Sequence, residues 1–228
     1  MPDKRDSIVK LTGIERRYGS DPPIDALRGV NLEVRTGEWL TIAGPSGSGK
    51  STLLNIIGCL DRQTAGSYAF EGIDVASLSD GQRAGLRSRS IGFVFQAFYL
   101  LAHRTVLENV AMAEVYRGSE SRGRLDRAEQ ALERVQLSHR AEFLPIHLSG
   151  GERQRAAIAR AVMGSPKILL CDEPTGNVDT ATTAALLDLF AELNADGLTI
   201  IMITHDPDVA ARVRRRIRIV DGTLRRAR

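Results

Sequence analysis

The sequence predicts an α/β fold built on a mostly parallel sheet with helices on both faces. The first observation behind this is the stretch Gly44-Pro45-Ser46-Gly47-Ser48-Gly49-Lys50-Ser51, which has the spacing of a loop that wraps a nucleotide's phosphates. The second is its setting, between the strand-like run Trp39 to Ala43 and the helical run Thr52 to Ile57. The third is that strand-like and helical runs keep alternating after it, the pattern of a parallel sheet covered on both sides. A length of 228 residues suits one domain, or one domain with a subdomain, and is ample for a core.

Ile8 to Tyr18 and Leu27 to Val34 read as strands. In the second, Val30, Leu32 and Val34 alternate with Asn31, Glu33 and Arg35, as on a half-buried strand. Gly19-Ser20-Asp21-Pro22-Pro23 between them is a turn. Gly66 to Gly72 reads as a short strand and turn, and Ser79 to Arg87 as a helix opened by a serine cap. Ile91 to Phe95 is an apolar strand that ends at Gln96. From Thr105 to Val135 the apolar spacing is helical, with Gly118 and Gly123 dividing it into two helices, an excursion from the sheet. Pro145 marks a loop, and Arg153 to Met163, rich in alanine and arginine, is a strong helix.

Lys167 to Glu173 reads as a buried strand ending in two acids, and Thr180 to Leu193 as a helix. Leu198 to Thr204 is a β-rich strand that ends at His205-Asp206. Asp221-Gly222 is a hairpin turn between Ile217–Val220 and Thr223-Leu224. From Arg212 to Arg228 arginines crowd around Val213, Ile217 and Ile219, as in a solvated edge strand and tail. Contact with an anionic lipid surface or nucleic acid is the other reading of that run.

Apolar residues make up 43% and charged residues 26%, ordinary for a soluble globular protein. No run approaches the roughly 18 apolar residues of a membrane helix. Met1 to Asp6 lacks the apolar core of a secretory signal. Cys59 and Cys171 sit in apolar surroundings, as small core residues in a reducing compartment, and neither has the Cys-x-x-Cys spacing of a metal site.

In open α/β sheets ligands collect at the carboxyl ends of strands. Four such ends carry polar residues: Ser46 to Ser51, Gln96, Asp172-Glu173 and His205. Within the loop, glycines let the backbone turn its N–H groups inward, and the helix start adds partial positive charge. Lys50 brings a full charge for the β- and γ-phosphates, and the Ser51 hydroxyl suits Mg²⁺. Asp172 suits Mg²⁺ through a water, Glu173 a water-activating base, Gln96 the metal or water shell, and His205 the γ-phosphate. Together they form the set that nucleotide hydrolysis needs, with positioning and charge compensation doing most of the work.

Leu148-Ser149-Gly150-Gly151-Glu152 adds two glycines and a serine at a helix start, a second anion-binding nest. One chain around one nucleotide needs only one, so this nest would cap the γ-phosphate held by another subunit; a serine-capped helix is the plainer reading. These motifs, in this order, resemble the ATP-binding-cassette ATPases over about Ile8 to Leu224. The resemblance implies a P-loop NTPase (RecA-like) core with an N-terminal antiparallel β subdomain and an inserted α-helical subdomain. The core would be about residues 1–96 and 164–228, and the helical subdomain about 97–163.

By the same resemblance, ATP lies against residues 44–52, that is Gly44 to Ser51 and Thr52, with Tyr18 stacked on its adenine. Gln96 reads the nucleotide and faces a membrane partner, Ser149 to Glu152 meet the ATP of the opposite copy, Asp179 sits at the dimer seam, and His205 is the switch histidine. Partners would be a second copy, head-to-tail with ATP at the interface, and a separate integral membrane permease. That places the chain in the cytoplasm, peripheral at the inner face of the membrane, with no direct nucleic-acid contact.

A finer resemblance, in Phe93 to Leu101, Glu108-Asn109-Val110-Ala111 and Asp172 to Asn177, is to the branch serving lipoprotein release, macrolide export and the division-associated permease. Val178 stands where leucine is usual there, and Ala102-His103-Arg104 replaces a proline-containing turn. The rival is a soluble nucleic-acid-associated ATPase of the same family. Only Ala97 to His147 separates Gln96 from the second nest, with no extended heptads, which speaks against the long coiled coil of the DNA-repair relatives.

Overall fold

The computed structural model describes residues 6–19, 21–115 and 122–226. Strands β1 (Ser7–Tyr18) and β2 (Ile24–Arg35) pair antiparallel and lead into β3 (Trp39–Ala43) and helix α1 (Lys50–Ile57). β4 (Ala65–Phe70), β5 (Ile73–Asp74), α2 (Asp80–Ser90) and β6 (Ile91–Phe95) follow. Next come α3 (Val106–Ala111), α4 (Arg124–Arg134) and α5 (Gly150–Val162). The chain then returns through β7 (Ile168–Asp172), α6 (Thr180–Ala195) and β8 (Thr199–Thr204), and closes with α7 (Pro207–Ala211), β9 (Arg215–Val220) and β10 (Thr223–Arg226).

Two sheets result. One is antiparallel, in the order β2-β1-β4-β5, and the other runs β10-β9-β3-β8-β7-β6. In the second sheet every pairing is parallel except β9 with β10. All six residues of β8 are buried, as expected for a central strand covered on both faces. Alternate residues feed two cores. Leu40, Ile42, Leu170 and Ile201 pack with β1, β2 and α1, whereas Leu169, Cys171, Ile200 and Met202 pack with α3 to α6.

The arginine-rich end departs from the expected edge strand. β9 lies inside the sheet between β3 and β10, and β10 is the edge. Ile219 joins the core, while Arg215 pairs with Glu38. The stretch read as two helices is shorter and tighter than its apolar spacing suggested. α3 passes into a 3-10 turn at Met112–Glu114, and α4 starts after Gly123, whose φ of 73° closes the preceding turn. Gly118 and Ser20 lie outside the described residues. Helix α7 was not foreseen, although its signal was present: Asp206 caps it and Pro207 occupies the first turn.

Asn109, 1% exposed, ties the loop after β6 to α3. Its Oδ1 accepts from the Leu101 N–H at 2.6 Å, and its Nδ2 donates to the carbonyls of Leu101, Arg104 and Thr105. No aliphatic residue can replace these bonds. Asn109→Ala should lower unfolding free energy by about 2–3 kcal/mol in urea titrations, the cost of leaving such groups unpaired.

Candidate active site

Parallel register lines up the strand ends that matter. Ala43 pairs with Thr204, Asp172 with Ile203, and Phe95 with Asp172, so β3, β8, β7 and β6 finish level. The loops that leave them carry Gly44–Ser51, His205, Glu173 and Gln96 onto one rim of the sheet.

The phosphate loop is held by backbone packing. A Cβ on Gly44 would lie 2.3 Å from the Ile219 carbonyl oxygen, and one on Gly49 would lie 2.4 Å from that of Ala26. Gly49 caps α1 at φ 100°, and Leu53 N–H bonds back to its carbonyl. The N–H groups of Lys50, Ser51 and Thr52 therefore have no carbonyl within the helix. Lys50 Nζ donates to the carbonyls of Gly44 (2.9 Å) and Pro45 (2.8 Å). The Ser48 hydroxyl is buried and lacks a partner. Free N–H groups, an ammonium and an orphaned hydroxyl in one loop fit a phosphate chain.

Beside the loop, Asp172 ends β7 where Ser51 and Lys50 act on its carboxyl. Burial raises Asp172's carboxyl above its ordinary value, the Glu173 charge adds to that, and Ser51 and Lys50 oppose it. A cation at this point would relieve the same strain. Glu173 adopts φ 49°, and its N–H donates to the Ile203 carbonyl. Its Oε2 lies 2.9 Å from His205 Nδ1, with the histidine side chain 71% exposed and the glutamate 17%. Acid and imidazole thus form a pair at the mouth of the site.

Gln96, on the neighbouring strand end, engages Asn177: Nε2 donates to Asn177 Oδ1 at 3.2 Å, and Asn177 Nδ2 donates to the Gln96 carbonyl at 2.9 Å. Tyr18 stands apart with Arg16 and Asp61. The second nest is also distinct. Ser149 caps α5 with a complete capping box, its Oγ accepting from Glu152 N–H and its N–H donating to Glu152 Oε2. Gly151 abuts Thr182, where a Cβ would meet a methyl at 2.5 Å, and Gly150 abuts Asn177. Asp179 caps α6 and accepts from the Thr182 hydroxyl at 2.6 Å. Gln96, Asn177, Asp179, Thr182 and the nest are therefore joined in one chain of contacts.

Sequence reasoning missed Asn177, Thr182, Arg140 and Asp61. Thr182 had a signal, since Asp followed three residues later by Thr is a capping pattern. Arg140, which donates to Glu152 Oε1 at 2.7 Å, had none.

A family profile described as ABC transporter matches residues 27–176. Two Bacillus subtilis proteins described as ABC transporter ATP-binding proteins, YknY and YvrO, are 45% and 51% identical over 218 residues, 95% of each chain. The macrolide export ATP-binding/permease protein MacB of Rhodospirillum rubrum is 47% identical over 98% of this chain, which spans 35% of that protein's length. A solved dimer of the ATP-binding cassette MJ0796, in a post-hydrolysis state with ADP and Pi, superposes with a TM-score of 0.87 at 40% identity, covering 96% of this chain and 99% of that one. The chain belongs to the ABC transporter ATP-binding family, in the branch that contains the macrolide exporters. It is an ATP-binding subunit with the P-loop α/β fold, and the nucleic-acid alternative is not favoured.

The Glu152 contacts make a pH test. Its carboxyl is pulled down to about 2, first by the Ser149 N–H, then by Arg140 and the Ser149 hydroxyl, against the effect of burial. A depressed folded value stabilises above the unfolded one and is lost as pH falls through it. Wild-type stability should therefore drop between about pH 4.5 and 2 more steeply than that of Glu152→Gln, measured as urea midpoints along the pH series.

Proposed function

We propose that this chain is a Mg²⁺-dependent ATPase that works as a head-to-tail homodimer and drives a separate integral membrane permease. The observation that carries the reading is the Glu173–His205 pair standing next to Asp172, the half-buried carboxylate that ends β7. Lys50 and the N–H groups at the start of α1 hold the phosphates, with Gly44, Pro45, Ser46, Gly47, Ser48, Gly49, Ser51 and Thr52 forming the wall. Ser51, Asp172 through a water, and Gln96 would hold Mg²⁺, which would neutralise phosphate charge when bound. Among the described residues, no group of three or more His, Cys, Asp or Glu gathers to hold a metal alone. That fits an ion which takes its other ligands from hydroxyl, water and phosphate.

Glu173 orients and deprotonates the attacking water, and His205 keeps that carboxylate in place while facing the γ-phosphate. Tyr18 carries the adenine. Ser149, Gly150, Gly151 and Glu152 of one copy meet the triphosphate held by the other, and Asp179 lies at the seam. Contacts made only on closure matter energetically, because moving an open–closed equilibrium from 1:99 to 99:1 takes about 5.5 kcal/mol. The contacts of the nest run to Asn177 and Thr182, and a dimeric solved relative supports pairing of copies.

Two relatives of nearly equal length named as ATP-binding proteins support a permease on a separate chain. Among the described residues no helix is long and apolar enough to cross a membrane. The subunit would then sit in the cytoplasm at the inner face of the membrane through that permease. Residues of about 97–163 would form the helical subdomain and the remainder the core. Glu173→Gln should bind ATP, accumulate as dimer in light scattering, and release phosphate at least ~100-fold more slowly. Hydrolysis at the wild-type rate in that variant removes Glu173 from the role of base.

A further inference from the structure

Tyr18 is fixed by Asp61, far from it in sequence, and by Arg16, two residues before it. Its hydroxyl donates to Asp61 Oδ2 at 2.6 Å. The Arg16 guanidinium lies 4.2 Å from the centre of the ring, stacked on one face. The same guanidinium grips Asp61 with both edges of its fork, Nε to Oδ2 at 3.0 Å and Nη2 to Oδ1 at 2.9 Å. Asp61 is itself immobilised. Its Oδ1 accepts from Arg62 N–H at 2.7 Å, and its carbonyl accepts from Arg83 Nη2, a side chain of α2 that is 8% exposed. Arg87 of α2 holds the Cys59 carbonyl of the same turn. A rigid turn therefore presents a carboxylate, and the carboxylate presents the tyrosine.

We infer that Asp61, with Arg16, is a positioning residue that sets the Tyr18 ring as a preformed platform for the nucleobase of ATP. This rests on the proposed adenine contact of Tyr18. Tyr18 is 36% exposed, with its hydroxyl tied and one face covered by a cation. What remains for a planar ligand is a ring surface whose rotation is already restricted. Immobilising a side chain at the moment of binding weakens affinity, and a ring ordered beforehand avoids that. Burial works to raise the Asp61 carboxyl, but the bonds from Tyr18 and the Arg62 N–H, together with Arg16, outweigh it and hold it below its ordinary value, so the acceptor stays ionised. Arg16 over the ring adds a cation–π contact that favours the same orientation.

The test separates the base from the phosphates. Binding of ATP and of inorganic tripolyphosphate to the full chain is measured by calorimetry. Asp61→Ala should weaken ATP roughly three- to tenfold, the scale of one immobilised side chain, and leave tripolyphosphate unchanged. Asp61→Asn, which still accepts from the phenol, should recover most of that loss. Tyr18→Phe removes a single oxygen, keeps the test open should Asp61→Ala fold poorly, and should reproduce its loss. In the Tyr18→Phe background, Asp61→Ala should add little. If Tyr18→Ala weakens ATP but neither Asp61→Ala nor Tyr18→Phe does, the positioning role is overturned and the adenine contact stands. If Tyr18→Ala leaves the ATP-to-tripolyphosphate ratio unchanged, the adenine contact itself fails.

Discussion

The loop from Gly44 to Gly49 is wedged between two backbones that leave no room for a side chain at either end. The Ile219 carbonyl backs Gly44 and the Ala26 carbonyl backs Gly49. Gly222 N–H, in the β9–β10 hairpin, donates to the Ser48 carbonyl at 3.1 Å. The loop is thus clamped by β9 and β10 on one side and by β2 on the other, before any ligand arrives. Its N–H groups can then point at a phosphate without being ordered by it, which is what makes a preformed anion site strong. The arginine-rich end of the chain acquires a structural meaning here. Its Ile219 forms the wall behind Gly44.

From this clamp the rest of the rim follows by register. β8 and β9 flank β3, and β7 and β6 extend the same parallel sheet, so each acid, amide or imidazole one residue past a strand end falls on the same edge. Asp172 ends its strand where Ser51 and Lys50 act on its carboxyl. Glu173 turns away through a left-handed backbone and meets His205. The one-residue step between the two carboxylates is what gives them different neighbours, one the metal-suited hydroxyl and the other the imidazole.

Much of this was legible in the sequence because it is local. The phosphate loop, the acids after β7 and the histidine after β8 are short patterns beside apolar strands, and period and punctuation suffice to place them. What was not legible depends on contacts between distant residues. Gln96 meets Asn177 across 81 positions, and Tyr18 meets Asp61 across 43. No spacing rule announces either pair. The edge-strand reading of β9 failed for a different reason: alternation of arginine with isoleucine reports only that one side faces water, and the Asp221-Gly222 hairpin, itself legible, implied a further strand beyond. That strand, β10, puts the edge one strand further out.

Reciprocal closure is the central claim, and it is a statement about which copy's serine faces which copy's loop. Ser46 and Ser149 are both exposed, and the native cysteines Cys59 and Cys171 are buried, so thiols can be introduced without interference. Copies carrying Ser46→Cys are mixed with copies carrying Ser149→Cys and treated with a short thiol crosslinker, with and without ATP. The account predicts a crosslinked dimer that forms in the mixture only, and only with ATP. A mixture that stays uncrosslinked with ATP, or crosslinking that is just as strong within either variant alone, would contradict it.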